Sequence, residues 1–253
     1  MPSTHPAASR ATLADPARAG FFHWGLRPYD QILAMQEALR EERRAGRIPD
    51  VWLAGEHHAV ITSGVRGRAG DLVGGGDPIP VFSIDRGGMT TLHNPGQLVI
   101  YPIVRTGRGV LAQARLARAL LAATRDWIES LSGVRAAIER GRPGLYVDGR
   151  KLAAIGISIR GGVSMHGIAV NLCNDLAPWS RIIPCGEPGT RPVTLTELTG
   201  RRVEPAQWAP LIPRWLTSAW GYGRVGPMEA PAPDQSTGGS GGGTISAGSC
   251  SMK

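Results

Sequence analysis

Residues Leu145–Leu172 read LYVDGRKLAAIGISIRGGVSMHGIAVNL. Leu145–Val147 and Leu152–Ile159 are apolar runs separated by Asp148-Gly149. That dipeptide favours the left-handed backbone that a tight hairpin needs. Met165–Leu172 is a third run of the same kind. Consecutive strands with short connections pair antiparallel, so a sheet built on them cannot come from βαβ units alone. Helical periodicity lies outside this stretch. Ile32, Met35 and Leu39 form a stripe in Tyr29–Ala45, with Gly46 as its stop. A longer helix is predicted over Gly109–Ser132. Its stripe is Val110, Ala114, Ala117, Leu121, Thr124, Ile128 and Leu131, and Gly133 ends it. Further strand-like runs are Val51–Ala54, Ala59–Thr62, Pro80–Ile84 and Leu98–Val104. The pattern is an α/β (α+β) protein with a mixed β-sheet flanked by helices.

The folded part is predicted to span residues 20–225 as one domain, with residues 1–19 as a flexible extension. From about Pro227 the chain reads PMEAPAPDQSTGGSGGGTISAGSCSMK. Pro, Gly and Ser replace apolar residues there, so residues 226–253 are expected to be a disordered tail that buries too little to offset its ordering entropy. The three cysteines, Cys173, Cys185 and Cys250, form no CxxC pair and no even framework, which points to a reducing, cytoplasmic setting. No apolar run is long enough to cross a membrane, and the N-terminus lacks a secretory h-region.

Net charge is +8 and the pI about 10.2. Arg supplies nearly all of the positive charge, and Lys151 is the only lysine before Met252. An acidic partner is implied. A nucleic-acid binder is disfavoured, because the Arg residues are dispersed among turns with little aromatic interleaving.

Three segments carry chemistry. In Arg86–Tyr101, RGGMTTLHNPGQLVIY, Gly87 and Gly88 allow a close backbone approach, and His93 precedes a Pro95-Gly96 turn. Turn chemistry alone also explains such glycines. Lys151 opens an apolar strand. It is either an edge charge that keeps the strand soluble or a desolvated lysine used in proton transfer. Cys185, between Pro184 and Gly186, lies outside regular structure. A loop cysteine near a cation can hold the thiolate form. Cys173, next to Leu172, is expected to be core packing.

Together these segments resemble the lipoyl(octanoyl) transferase family. The matching blocks, in family order, are Arg86-Gly87-Gly88 with His93-Asn94-Pro95-Gly96-Gln97 and Tyr101-Pro102; Lys151-Leu152-Ala153-Ala154-Ile155-Gly156; His166-Gly167-Ile168-Ala169-Val170-Asn171; and Pro184-Cys185-Gly186. Arg44–Asp50 is also similar to the family's helix-to-strand connection. The resemblance implies a fold like the biotin/lipoate protein ligase catalytic domain. It implies octanoyl transfer from acyl carrier protein to a lysine of lipoyl domains, those of 2-oxoacid dehydrogenase E2 subunits and glycine cleavage H protein. It implies no metal and no other cofactor. Cys185 would form the thioester, and Lys151 would lower its pKa and serve in acid/base steps. Arg86, Gly87, Gly88, Met89, Thr90, Thr91, Leu92, His93, Ala154, Ile155, Gly156, Gly167, Ile168 and Ala169 would line the acyl pocket.

Three positions depart from the family pattern. Asn94 replaces a glycine, where tolerance of left-handed backbone would preserve the turn while adding bulk beside the pocket. Leu92 replaces an aromatic residue and is expected to alter pocket width. Glu56-His57-His58 stands where the family has a histidine followed by prolines. The alternative on the same fold is an ATP-dependent lipoate or biotin ligase, to which Gly64–Asp71, GVRGRAGD, bears a partial resemblance.

Overall fold

The computed structural model describes residues 18–74, 77–183 and 189–229. The chain opens with β1 (Arg18–Arg27), α1 (Tyr29–Arg44), β2 (Asp50–His57), β3 (Val60–Ser63), β4 (Val81–Ser83), β5 (Thr90–His93) and β6 (Gln97–Ile103). The long helix α2 (Gly109–Ser132) follows, then β7 (Leu145–Val147), β8 (Arg150–Arg160) and β9 (Val163–Asn171). Three short helices, α3 (Leu195–Thr199), α4 (Pro205–Trp208) and α5 (Ile212–Trp220), lead to β10 (Arg224–Pro227).

The main sheet has the order β10-β1-β2-β6-β9-β8-β7. β10, β1 and β2 run parallel, and the other neighbours pair antiparallel. A small sheet, β4-β3-β5, stands apart from it. The sheet is mixed, as the hairpin around Asp148 required; Asp148 and Gly149 have φ values of 49° and 73°.

Helix α1 packs on one face of the sheet, with Trp24, Ile32, Leu39, Leu53, Val99, Tyr101, Met165 and Ala169 in a common core. On the other face α2 and α5 cover Trp52, Leu98, Ile100, Leu152, Ile157, Ile168 and Val170. The α2 stripe differs from its periodicity. Burial begins at Leu116 and runs through Leu120, Leu121, Thr124, Trp127 and Ile128, while Val110 is 80% and Leu131 39% exposed. Trp127, Trp208, Trp215 and Trp52 stack in series there, adding core that periodicity alone did not locate. β1, β5, β10 and the last three helices were also not predicted. β5 lay in a segment read as a glycine-rich connection, and Ala19 and Gly20 give β1 a weak start.

Asp50, wholly buried at the start of β2, accepts from Arg43 Nε at 2.7 Å, Arg105 N at 2.9 Å and Tyr222 Oη at 3.0 Å. It ties α1, the end of β6 and the C-terminal segment to one strand. Removing one partner of a buried ion pair typically costs about 3–5 kcal/mol. Asp50→Ala should therefore lower the unfolding free energy by an amount of that order, read as the shift of the urea midpoint multiplied by the m-value. Replacing Arg43 and Asp50 together by apolar residues should recover much of the loss.

Candidate active site

The paired strands of the main sheet carry their smallest residues on the α1-facing side. Ala154 of β8 faces Ala169 of β9, and Gly156 faces Gly167. Side chains alternate along a strand, so the Ala and Gly of each strand share a face. Ala169 in turn pairs with Val99 of β6. These positions form a trough. A Cβ on Gly156 would lie 2.7 Å from the Gly87 carbonyl and 2.8 Å from Arg86 Cδ, so only glycine lets the Arg86-Gly87 segment rest on the sheet. A Cβ on Gly167 would overlap the Ile100 carbonyl.

Between trough and covering segment lies a cavity of about 210 Å³. It is lined by Arg86, Gly88, Met89, Thr90, Thr91, His93, Ala154, Ile155, Gly156, Gly167, Ile168 and Ala169 from the sequence reading. Gly87 and Leu92 do not line it. Gly87 N bonds to the Ile157 carbonyl at 3.0 Å. Leu92 is fully buried in a separate cluster with Ile61, Trp179 and Ile182. Leu92 therefore does not set pocket width. Asn94 also stands outside. It does not have the left-handed backbone expected of it, the described non-glycine residues with positive φ being Asp148 and His166. Its amide instead donates to the Asp175 carbonyl at 2.7 Å.

The sequence reading missed Tyr29, Arg66, Ile84, Val99, Tyr101, Gly141, Pro143 and His166 as lining residues. Val99 and Tyr101 could have been reached by extending the period-two face from β9 to β6. His166 has φ 58° within a strand, a conformation uncommon for a residue with a side chain. The neighbouring strand β6 carries Pro102, which has no N–H for a ladder. The His166 N–H, turned out of the ladder by its left-handed backbone, donates to Gln36 Oε1 of α1 at 2.8 Å, which gives a fully buried glutamine on that helix a partner. Its Nε2 lies 3.0 Å from Asp85 Oδ1. Burial lowers the His166 pKa against the opposing pull of Asp85.

Arg86, 6% exposed, donates to the Thr62 carbonyl at 2.6 Å and Thr62 Oγ1 at 2.9 Å. The loop after β3, part of Gly64–Asp71, is bound to the same segment: Val65 N and Arg66 N reach the Arg86 and Gly88 carbonyls, each at 3.1 Å. His57 Nε2 contacts Tyr101 Oη at 3.0 Å, and His93 Nδ1 contacts Gln97 Oε1 at 2.7 Å. The Tyr29 hydroxyl is buried without a hydrogen-bond partner among the described residues.

Lys151 is 1% exposed, so it is not a solubilising edge charge. Its Nζ lies 5.4 Å from the Tyr146 ring centroid, within cation–π range. Its stem passes Gly144, where a Cβ would stand 3.0 Å from Lys151 Cε. Cys185 lies outside the described residues, as does Cys250. The chain before residues 184–188 is anchored by Ile183 N to the Asp71 carbonyl, and Asp71 accepts from Thr90 of the cavity wall. The chain after them pairs with Lys151 itself, through Lys151 N to the Arg191 carbonyl at 2.8 Å and Val193 N to the Lys151 carbonyl at 3.0 Å. Cys173, expected in the core within a strand, lies just past β9 and is only partly buried. Burial raises its pKa, which disfavours a thiolate there.

The family model for the lipoyl protein ligase A/B catalytic domain matches residues 28–216. The chain belongs to that family. An octanoyltransferase of Pseudomonas putida (strain W619) is 42% identical over 185 residues, covering 72% of this chain and 83% of the relative. An octanoyltransferase of Geobacter sulfurreducens is 43% identical over 180 residues, covering 71% and 75%. Among solved structures, lipoate-protein ligase A bound with ATP aligns with TM-score 0.64 at 16% identity, over 84% of this chain and 87% of that one. P. falciparum LipL1 in complex with lipoate aligns at 0.65 and 10% identity, over 83% and 66%. These two establish the ligase-like fold. Among the described residues of this family member, no helix is long and apolar enough to cross a membrane.

Burial holds His57 and His93 neutral, with pKa values lowered from 6.5 to about 4 and about 3. The unfolded chain takes up these protons first, so stability is full above pH 6.5 and falls as pH drops toward those values. The thermal midpoint should decline across that window. His93→Asn should flatten the slope, by up to about 1.4 kcal/mol per pH unit in the underlying stability.

Proposed function

We propose that this protein is an octanoyltransferase that moves an octanoyl group from acyl carrier protein, through a thioester on Cys185, to a lysine of a lipoyl domain. The observation that carries this reading is the small-residue trough on β8 and β9, with a buried Lys151 on the same strand β8, which pairs with the chain leaving the Cys185 segment. The octanoyltransferase relatives support the acyl group and the reaction.

The Cys185 thiolate attacks the donor's thioester carbonyl, and the carrier thiolate leaves with a proton from the Lys151 ammonium. One thioester replaces another, so the exchange is near balance, and the carrier departs before the acceptor arrives. The acceptor amine then attacks the Cys185 thioester. Its proton passes to neutral Lys151, and the Cys185 thiolate is released. A free thiol has a pKa near ~8.5, so a cation beside it is needed to raise the thiolate fraction at neutral pH. Lys151 is buried, and the low dielectric around it strengthens the field of its ammonium at a neighbouring thiolate. Backbone N–H groups near Gly88 or Cys185 are the donors for the tetrahedral oxyanion.

Incubation with octanoyl-carrier protein should add one octanoyl group by intact-protein mass spectrometry. Cys185→Ala should abolish the adduct, and Cys173→Ser should keep it. Lys151→Ala should lose most transfer and shift thiol alkylation to higher pH. Adduct formation that needs ATP would instead favour the ligase reading.

The +8 charge suits docking of acidic carrier domains. Raising salt should weaken the apparent affinity for the carrier-borne donor, because attraction is screened over about 10 Å at ~0.1 M. Reaction with a small octanoyl thioester should change little. Equal slowing of both would remove docking as the cause.

A further inference from the structure

The cavity touches three adjacent strands of the main sheet, β8, β9 and β6. Ala154, Ala169 and Val99 lie in one row, linked by strand pairing, and the next position in that row is Gly55 of β2, which pairs with Val99. The first three line the cavity and Gly55 does not. Its place is taken by the indole of Trp24, which lies behind the lining residue Tyr101, stacked on its ring. A Cβ on Gly55 would stand 2.5 Å from Trp24 Cε2 and Nε1. Trp24 is 4% exposed, donates Nε1–H to the Glu56 carbonyl at 2.9 Å, and stacks at 5.4 Å on both Tyr101 and His57. Three independent contacts hold this large ring where the small-residue row would otherwise continue.

We propose that Trp24, seated over Gly55, is the end stop that sets the length of the acyl group the enzyme accepts. The inference rests on the octanoyltransferase reading of the cavity. Neighbouring strands are about 4.8 Å apart, so the row from β8 through β9 to β6 measures about 10 Å. An extended chain of single bonds advances about 3.5 Å per three bonds, so about eight bonds fill that row. The next strand would lengthen it by about four bonds, and Trp24 occupies that extension. Leu92, one of the positions at which the sequence departs from the family pattern, is turned into another cluster and does not line the cavity.

The test is competition among saturated acyl-carrier thioesters from hexanoyl to tetradecanoyl, read as the distribution of adducts by intact-protein mass spectrometry. The parent protein should favour octanoyl. Trp24→Ala should move the preference toward decanoyl and dodecanoyl, changing the ratio of dodecanoyl to octanoyl by about tenfold or more, the effect expected for methylenes that gain an apolar pocket. Trp24→Phe, which keeps a stacked ring and serves if the alanine variant fails to fold, should give a smaller shift in the same direction. Ala169→Val, narrowing the row from within, should shift preference toward hexanoyl. Folded Trp24 variants that form the adduct with unchanged octanoyl preference would overturn the stop. Absence of any adduct in the parent protein would instead defeat the octanoyltransferase reading.

Discussion

No side chain can stand on the α1-facing side of the sheet at Gly156 or Gly167. At Gly156 the obstacle is the Arg86-Gly87 segment, and at Gly167 it is the Ile100 carbonyl. This steric constraint organises the rest of the site. Because β8 and β9 approach other backbone so closely there, the covering segment can lie on the sheet without filling the space beside it, between Ala154, Ala169 and Val99. An interior of this kind would normally be filled by interdigitating side chains to crystal-like density. Here the two glycines and two alanines withhold that volume, and the surrounding core compensates. Tyr101, Trp24 and His57 form a stacked wall on one side, and the tryptophan series under α2 supplies bulk on the other face.

The electrostatics follow from the same geometry. The cavity borders a buried Arg86, whose guanidinium is held by Thr62 and the Gly87 carbonyl. Around it the histidines are disposed against a second positive charge: His57 and His93 are neutral at ordinary pH, and burial also lowers His166. Asp85 is held below the usual carboxylate range, chiefly by its hydrogen bond from His166, and lies on the outer side. Lys151 is not among the lining residues and is housed separately, its stem past Gly144 and its Nζ near the Tyr146 ring.

Much of this was legible in the sequence, for identifiable reasons. The apolar runs Leu152–Ile159 and Met165–Leu172 marked two strands, the family resemblance singled out Ala154, Gly156, Gly167 and Ala169 on them, and the register of β8 against β9 sets these four opposite one another. The glycines at residues 87 and 88 announced a close approach, and Asp148-Gly149 announced its turn. Leu92 and Asn94 were misjudged because their orientation depends on β5, a four-residue strand inside a segment whose glycines suggested only a connection. Lys151 was ambiguous because strand position does not reveal what covers a strand; here the covering chain is residues 191–193, distant in sequence. Trp24 and Gly55 were silent individually. Their meaning lies in mutual occupation of one volume by two strands, which no local pattern encodes.

The departures from ordinary folding rules gather where the cavity is. Pro102 sits within a central strand, His166 adopts a left-handed conformation within the neighbouring strand, Gln36 is buried and accepts the His166 N–H, and the Tyr29 hydroxyl is buried without a partner among the described residues. A left-handed residue with a side chain costs of order 1–3 kcal/mol, and an unsatisfied buried hydroxyl about as much. Such costs persist only where the surrounding structure over-determines them. Asp50 illustrates how that is done: one carboxylate fixes α1 through Arg43 and the end of β6 through Arg105. With α1 and β6 so fixed, Gln36 and Pro102 are set relative to β9, and His166 has no relaxed alternative. The strain is therefore carried by a rigid frame at its base rather than by the loops around the cavity.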